Sequence, residues 1–177
     1  MLMPPEPGIT YQSLMPLAWE VATPDVLALS EARHCNLRML HALALMESLP
    51  EKDTDADPAI AKAIQRLEAK LDIVLSQLSR LAAQDASRLS HTRVSLGATH
   101  LTWETHSEVP PPGTSIKLTL NLSPMLYEGI QLYARVTESS ATTCRAEFVD
   151  QDEEFVEWMT RTLFRYHRRE LQARHPA

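Results

Sequence analysis

The sequence predicts an α+β protein. A small antiparallel β-barrel with a C-terminal helix is preceded by an α-helical hairpin, one arm of which carries a heptad repeat. Three observations predict it. Apolar residues recur at alternating spacings of four and three from Ile60 to Leu81. From about Leu89 to Phe148 they alternate with polar residues at period two, and from about Gln151 to Gln172 they return to helical spacing. The chain accordingly divides into an N-terminal arm (1–23), a helical oligomerisation region (24–87) and a barrel with its closing helix (88–173). At 177 residues, 44% hydrophobic and 23% charged, it has the composition of a globular domain.

Residues 1–23 are proline-rich with scattered apolar groups (Tyr11, Leu14, Met15, Leu17, Trp19, Val21) and read as an extended arm holding a short strand or turn within 14–21. Thr23-Pro24-Asp25 has the form of a helix start: a hydroxyl N-cap, proline at the first helical position and an acid in the first turn. That helix runs to about Glu47, with Val26, Leu29, Leu37, Leu40 and Leu43 at helical spacing, interrupted by Arg33 and Asn36. An acidic turn (Glu51-Lys52-Asp53-Thr54-Asp55) follows, and Asp57-Pro58 repeats the start signal. So short a connection favours an antiparallel hairpin.

The second helix carries the clearest pattern. Ile64, Leu71 and Leu78 fall at heptad position a, and Ile60, Leu67, Val74 and Leu81 at d. A helix lying on a core shows a looser 3.6-residue stripe, so strict 3.5-residue repetition predicts a supercoiled bundle. Position e holds Ala61, Glu68, Leu75 and Ala82, where a parallel dimer would place paired charges. Apolar e positions widen the seam and favour three or four strands over two, a homotetramer being the first choice. Packing only against its own hairpin partner is the plainer alternative.

The third zone reads as short antiparallel strands. Residues 92–96 and 99–104 read as one hairpin or a bent strand around Gly97. Ile116, Leu118, Leu120 and Leu122 line one face of a strand after the stiff turn Pro110-Pro111-Pro112-Gly113. Ile130, Leu132, Ala134 and Val136 alternate next, then Cys144, Ala146 and Phe148. A final helix puts Phe155, Met159, Leu163 and Tyr166 on one side, with acids (Asp152, Glu153, Glu154, Glu157) at its start and arginines at its end, as the helix dipole favours.

Composition and spacing exclude several functions. A net charge of −6 argues against nucleic acid or anionic lipid as a broad electrostatic partner. The four glycines, Gly8, Gly97, Gly113 and Gly129, lie too far apart for a phosphate-cradling loop or a nucleophile elbow. No apolar run reaches the length of a membrane span and no leader pattern opens the chain, so a cytoplasmic location is expected. Cys35 and Cys144 read as reduced, buried thiols. Neither His34, Cys35 and His41 nor His91, His100 and His106 have metal-pair spacing, so no metal or other cofactor is expected. No serine, cysteine or lysine has an activating neighbour, and the expectation is a protein that is not an enzyme.

The strand region resembles the PilZ domain family. The matching segments are Val94-Ser95-Leu96-Gly97-Ala98, Pro112 to Leu120, Ile130 to Val136, Cys144 to Phe148, and the closing Leu163-Phe164-Arg165-Tyr166-His167-Arg168-Arg169. The resemblance implies a six-stranded barrel followed by a helix, in a family whose typical members bind cyclic di-GMP. They do so through an Arg-x-x-x-Arg before the first strand and an Asp/Asn-x-Ser-x-x-Gly on the next ones. Here the upstream arginines Arg80, Arg88 and Arg93 include no pair four apart. Of the second motif Ser95 is kept, while Arg93 replaces the acid or amide and Ala98 the glycine. Arginine in that place removes an acceptor and adds like charge. Arg161, Arg165 and Arg169 have four-residue spacing but lie in the closing helix, as a solvated basic face. The resemblance thus implies a degenerate member: an oligomeric module contacting other signalling proteins in bacterial motility, attachment or virulence, without tight cyclic di-GMP binding. The alternative is a nucleotide sensor using a rearranged site of Arg88, Arg93 and Ser95.

Overall fold

The computed structural model describes residues 8–47, 60, 62–64, 66–71, 73–74, 90–105, 109–123 and 129–174. The elements are β1 (Tyr11–Val21), α1 (Val26–Glu47), β2 (Ser90–Leu96), β3 (His100–Glu104), β4 (Ser115–Leu120), β5 (Ile130–Ser139) and β6 (Thr143–Phe148), with a closing helix α3 (Glu153–Arg174). Helix α2, between α1 and β2, is described at residues 60, 62–64, 66–71, 73 and 74. The six strands close into an antiparallel barrel in the order β1-β2-β3-β6-β5-β4.

The segment expected as an extended arm is the first strand of this barrel. β1 pairs along its length, Tyr11 to Leu17 against Leu96 to Ser90 of β2, and Leu17 to Val21 against Leu120 to Ile116 of β4. Met15 and Leu17 point into the core while Gln12, Leu14 and Glu20 face out. The barrel therefore begins before the helical region rather than at residue 88, and that region is an insertion between its first two strands.

Alternation decides the interior. Val94 and Leu96 of β2, Leu101 and Trp103 of β3, Ile116, Leu118 and Leu120 of β4, Ile130, Leu132, Ala134 and Val136 of β5, and Cys144 and Ala146 of β6 are all buried. The Pro111-Pro112-Gly113-Thr114 turn admits glycine alone at its third place, where φ is 89°, and Thr114 N–H closes it on Pro111 O at 3.2 Å. A bulge between Val136 and Glu138 re-aims the end of β5.

The barrel core is extended by α3, which buries Phe155, Met159, Leu163 and Tyr166 in the same cluster. Asp152 caps it, its Oδ1 accepting from Phe155 N–H at 2.8 Å. Tyr166 donates to Leu122 O at 3.3 Å and its ring lies 5.4 Å from that of Tyr11, which ties α3 to β1. Helix α1 then packs across α3 and β5 through Leu40 and Leu43. Its N-cap is Asp25, not Thr23: Asp25 Oδ1 accepts from Ala28 N–H at 2.7 Å. Val26, expected on the inner stripe, is exposed with Leu27.

Candidate functional site

The residues singled out by the sequence fall on two surfaces of the molecule. On the first, Arg93 and Ser95 share the outer face of β2, with Gln12 and Leu14 of β1 on one side and Thr102 and Glu104 of β3 on the other. Arg93 is a surface side chain, 73% exposed, and its Nη1 lies 3.7 Å from Glu104 Oε1. Ser95 is half-buried between Gln12 and Thr102. Ala98 lies in the β2–β3 turn and packs against the core. Arg88 lies outside the described residues.

This face carries charge of both signs. Arg145 lies opposite Thr102, and Glu147 opposite His100 and Arg135. Burial, and then the Arg145 charge, hold the His100 imidazole below its ordinary pKa against the opposing pull of Glu147. An incoming phosphate would meet one arginine with a carboxylate beside it. Recognition of a guanine edge and a phosphate together takes a convergent arginine fork. The other described arginines of this face, Arg145 of β6 and Arg135 of β5, stand two and three strands away from Arg93.

The second surface is α2. Ile60, Ile64, Leu67, Leu71 and Val74, the described a and d positions, remain between 49% and 59% exposed, and Ile73 is 63% exposed. Leu78 and Leu81 lie outside the described residues. The described seam positions are therefore not sequestered by the protomer's own fold, as packing inside a single hairpin would require. A row of half-exposed branched apolar side chains at heptad spacing is a surface that water disfavours.

Two residues that broke the apolar stripe of α1 prove to be its fastenings. Asn36 is 2% exposed and hydrogen-bonds the main chain of Gln131 in both directions. Arg33 forms an ion pair with Asp150 and places Nη1 3.6 Å from Asp152 Oδ2. The available signal was the polarity itself, a short amide set among leucines at inward spacing. Cys35, expected to be buried, is exposed, while Cys144 is buried and burial pushes its thiol up to about 11. Trp103 is a core residue, and Trp158 packs edge-on to His41 of α1 at 4.3 Å. Among the described residues no three histidine, cysteine or acidic side chains converge as metal ligands. Among those residues, too, no helix is long and apolar enough to cross a membrane.

Comparison with known proteins agrees with this architecture. The family model described as an atypical PilZ domain, cyclic di-GMP receptor, matches residues 40–175. Among solved structures, a pathogenic protein from Xanthomonas campestris, described as a tetrameric PilZ domain self-assembled via an unusual helical bundle, superposes with a TM-score of 0.76. It is 25% identical, over 94% of this chain and 91% of that one. No curated protein matches the chain.

Proposed function

This chain belongs to the atypical PilZ domain family, and from that premise we propose that it is a self-assembling regulatory module of bacterial cyclic di-GMP signalling, cytoplasmic and not an enzyme. In this reading residues 24–87 form the oligomerisation unit, set between the first and second strands of the barrel. Its partners are other copies of itself and further signalling proteins acting in motility, attachment or virulence.

The observation that carries it is the half-exposed heptad face of Ile60, Ile64, Leu67, Leu71 and Val74. Completing the burial of five such side chains yields on the order of 5 kcal/mol per protomer before ordering costs. That gain is realised only against an equivalent supercoiled helix. Apolar e positions favour three or four strands over two, and a tetrameric neighbour built on a helical bundle supports four. Light scattering on the intact chain is expected to give about four protomer masses, falling toward one in the Leu67→Asp/Leu71→Asp variant. An unchanged mass in that variant overturns the bundle.

A second reading is favoured by the family's description as a cyclic di-GMP receptor: binding at a rearranged site on the outer face of β2, with Arg93, Ser95 and Arg88. The Arg93–Glu104 pair weighs against it. Titration calorimetry is expected to show no saturable heat at low-micromolar cyclic di-GMP. Saturable binding abolished by Arg93→Ala would establish the second reading in place of the first reading's lack of nucleotide affinity.

A further inference from the structure

The outer side of α3 carries an open groove of about 420 Å³ lined by Ile9, Trp158, Thr160, Arg161, Phe164 and Arg165. We propose that this groove docks an acidic amphipathic helix of a partner protein, a proposal that rests on the protein-interaction reading above.

The floor is apolar and solvent-facing. Phe164 is 54% exposed, Ile9 is exposed beside it, and Leu171, two turns beyond Phe164 on the same side of α3, is exposed as well. Seven-residue spacing matches the i and i+7 anchors of a helix laid across it. Each of the six barrel strands has a neighbour on both sides, which restricts strand addition by a peptide. Recognition by side-chain insertion is the mode this apolar groove offers.

The rim sets the sign of the partner. From Arg161 to Leu171 the helix bears Arg161, Arg165, Arg168 and Arg169 against Glu170, in a chain whose net charge is −6. Arg161 is held in place, its guanidinium 5.3 Å above the Trp158 ring and its Nη2 2.5 Å from Glu157 Oε1. The complement is a helix with two or three apolar anchors flanked by carboxylates.

The probe is a fluorescein-labelled helical peptide with leucines at i, i+3 and i+7 and glutamates on their flanks, with a lysine-for-glutamate version as control. Fluorescence anisotropy on the intact protein is expected to saturate with the glutamate peptide and to be at least about tenfold weaker with the lysine one. Phe164→Ala and Arg165→Glu/Arg168→Glu are each expected to weaken the glutamate peptide by a similar factor, with unchanged far-ultraviolet circular dichroism. Leu67→Asp/Leu71→Asp is expected to leave it intact. Absence of binding, equal binding of both peptides, or indifference to the α3 variants overturns the proposal. A fall in oligomer mass in Arg165→Glu/Arg168→Glu would give the face to a second copy instead, and displacement of the peptide by cyclic di-GMP would give it to the nucleotide. The self-assembly reading fails separately, by an unchanged mass in the Leu67→Asp/Leu71→Asp variant.

Discussion

Asn36 stands in for a missing strand residue opposite Gln131. Its Nδ2 donates to Gln131 O at 2.6 Å and its Oδ1 accepts from Gln131 N–H at 2.9 Å. The β5–β6 ladder ends at Ala134 opposite Phe148, with one further bond from Val149 N–H to Tyr133 O, so Gln131 lies beyond its reach. The side-chain amide supplies the donor and acceptor that another β6 residue would have offered. Asn36→Ala leaves both main-chain groups, in a part-buried place, without their partner and is expected to lower unfolding free energy by about 1–3 kcal/mol in urea denaturation. Asn36→Asp keeps the acceptor but sets a carboxylate against Gln131 O, and is expected to cost at least as much. A loss below about 0.5 kcal/mol for Asn36→Ala would show that water replaces the amide.

The neighbouring ion pair is worth less. Arg33 joins α1 to Asp150 and Asp152, but all three side chains are 35–45% exposed. Pairs this wet contribute about 0–1 kcal/mol, so Arg33→Ala is expected to cost less than half of what Asn36→Ala does. Asp150 also sits at φ 57°, where glycine is the unstrained choice. Asp150→Gly therefore loses the pair and gains the backbone, and is expected to lie within about 0.5 kcal/mol of the parent. Asp150→Ala loses the pair without that relief and falls about 1 kcal/mol lower. Urea denaturation of the three variants checks the order.

The contrast between these residues explains what the sequence could and could not show. β4 was legible because Ile116, Leu118 and Leu120 alternate without a break. β1 was not, because its inward row contains Ser13 and its outward row Leu14 and Pro16, and both strands it pairs with lie beyond the helical insertion. The heptad was legible from spacing alone, whereas the exposure of Ile64 and Leu67 is a property of the folded chain. Asn36 and Arg33 read as faults in a stripe, since their partners Gln131, Asp150 and Asp152 are about a hundred residues away in sequence. For the motif residues, sequence showed that the arginine pair is missing. Only the β2–β3 register showed that Glu104 faces Arg93.

Gly97 and His100 form a second testable pair. A Cβ on Gly97 would lie 2.6 Å from His100 Cε1, so any side chain there must push the imidazole aside. Gly97→Ala is expected to cost about 1–3 kcal/mol, and the added His100→Ala substitution to recover most of it, a coupling that a double-mutant cycle measures. The same histidine gives a pH signature. Its pKa is lowered in the folded state by burial and by Arg145, so the unfolded chain takes up the proton first as pH falls. Stability present above the unfolded value of 6.5 is lost below it. His100→Gln is expected to flatten thermal midpoints between pH 6.5 and 5 relative to the parent.

Cys144 should reveal itself at the opposite end of the scale. It is buried in β6 opposite Trp103, and burial raises its thiol from 9.0 to about 11. At pH 8 a thiol-disulfide reagent is expected to modify exposed Cys35 rapidly and Cys144 only after denaturant is added. The raised value also sets a slope. Between pH 9 and 11 the unfolded chain releases this proton while the folded chain keeps it, so the unfolded state gains and stability falls as pH rises. A shift of that size corresponds to about 2–3 kcal/mol across the window. Tyrosines and lysines titrate there too, which makes the difference between parent and Cys144→Ala the quantity to measure. The alanine variant is expected to start slightly less stable at pH 8, through a lost buried sulfur, and to overtake the parent near pH 11. Parallel pH curves would show that the thiol reaches water before it ionises.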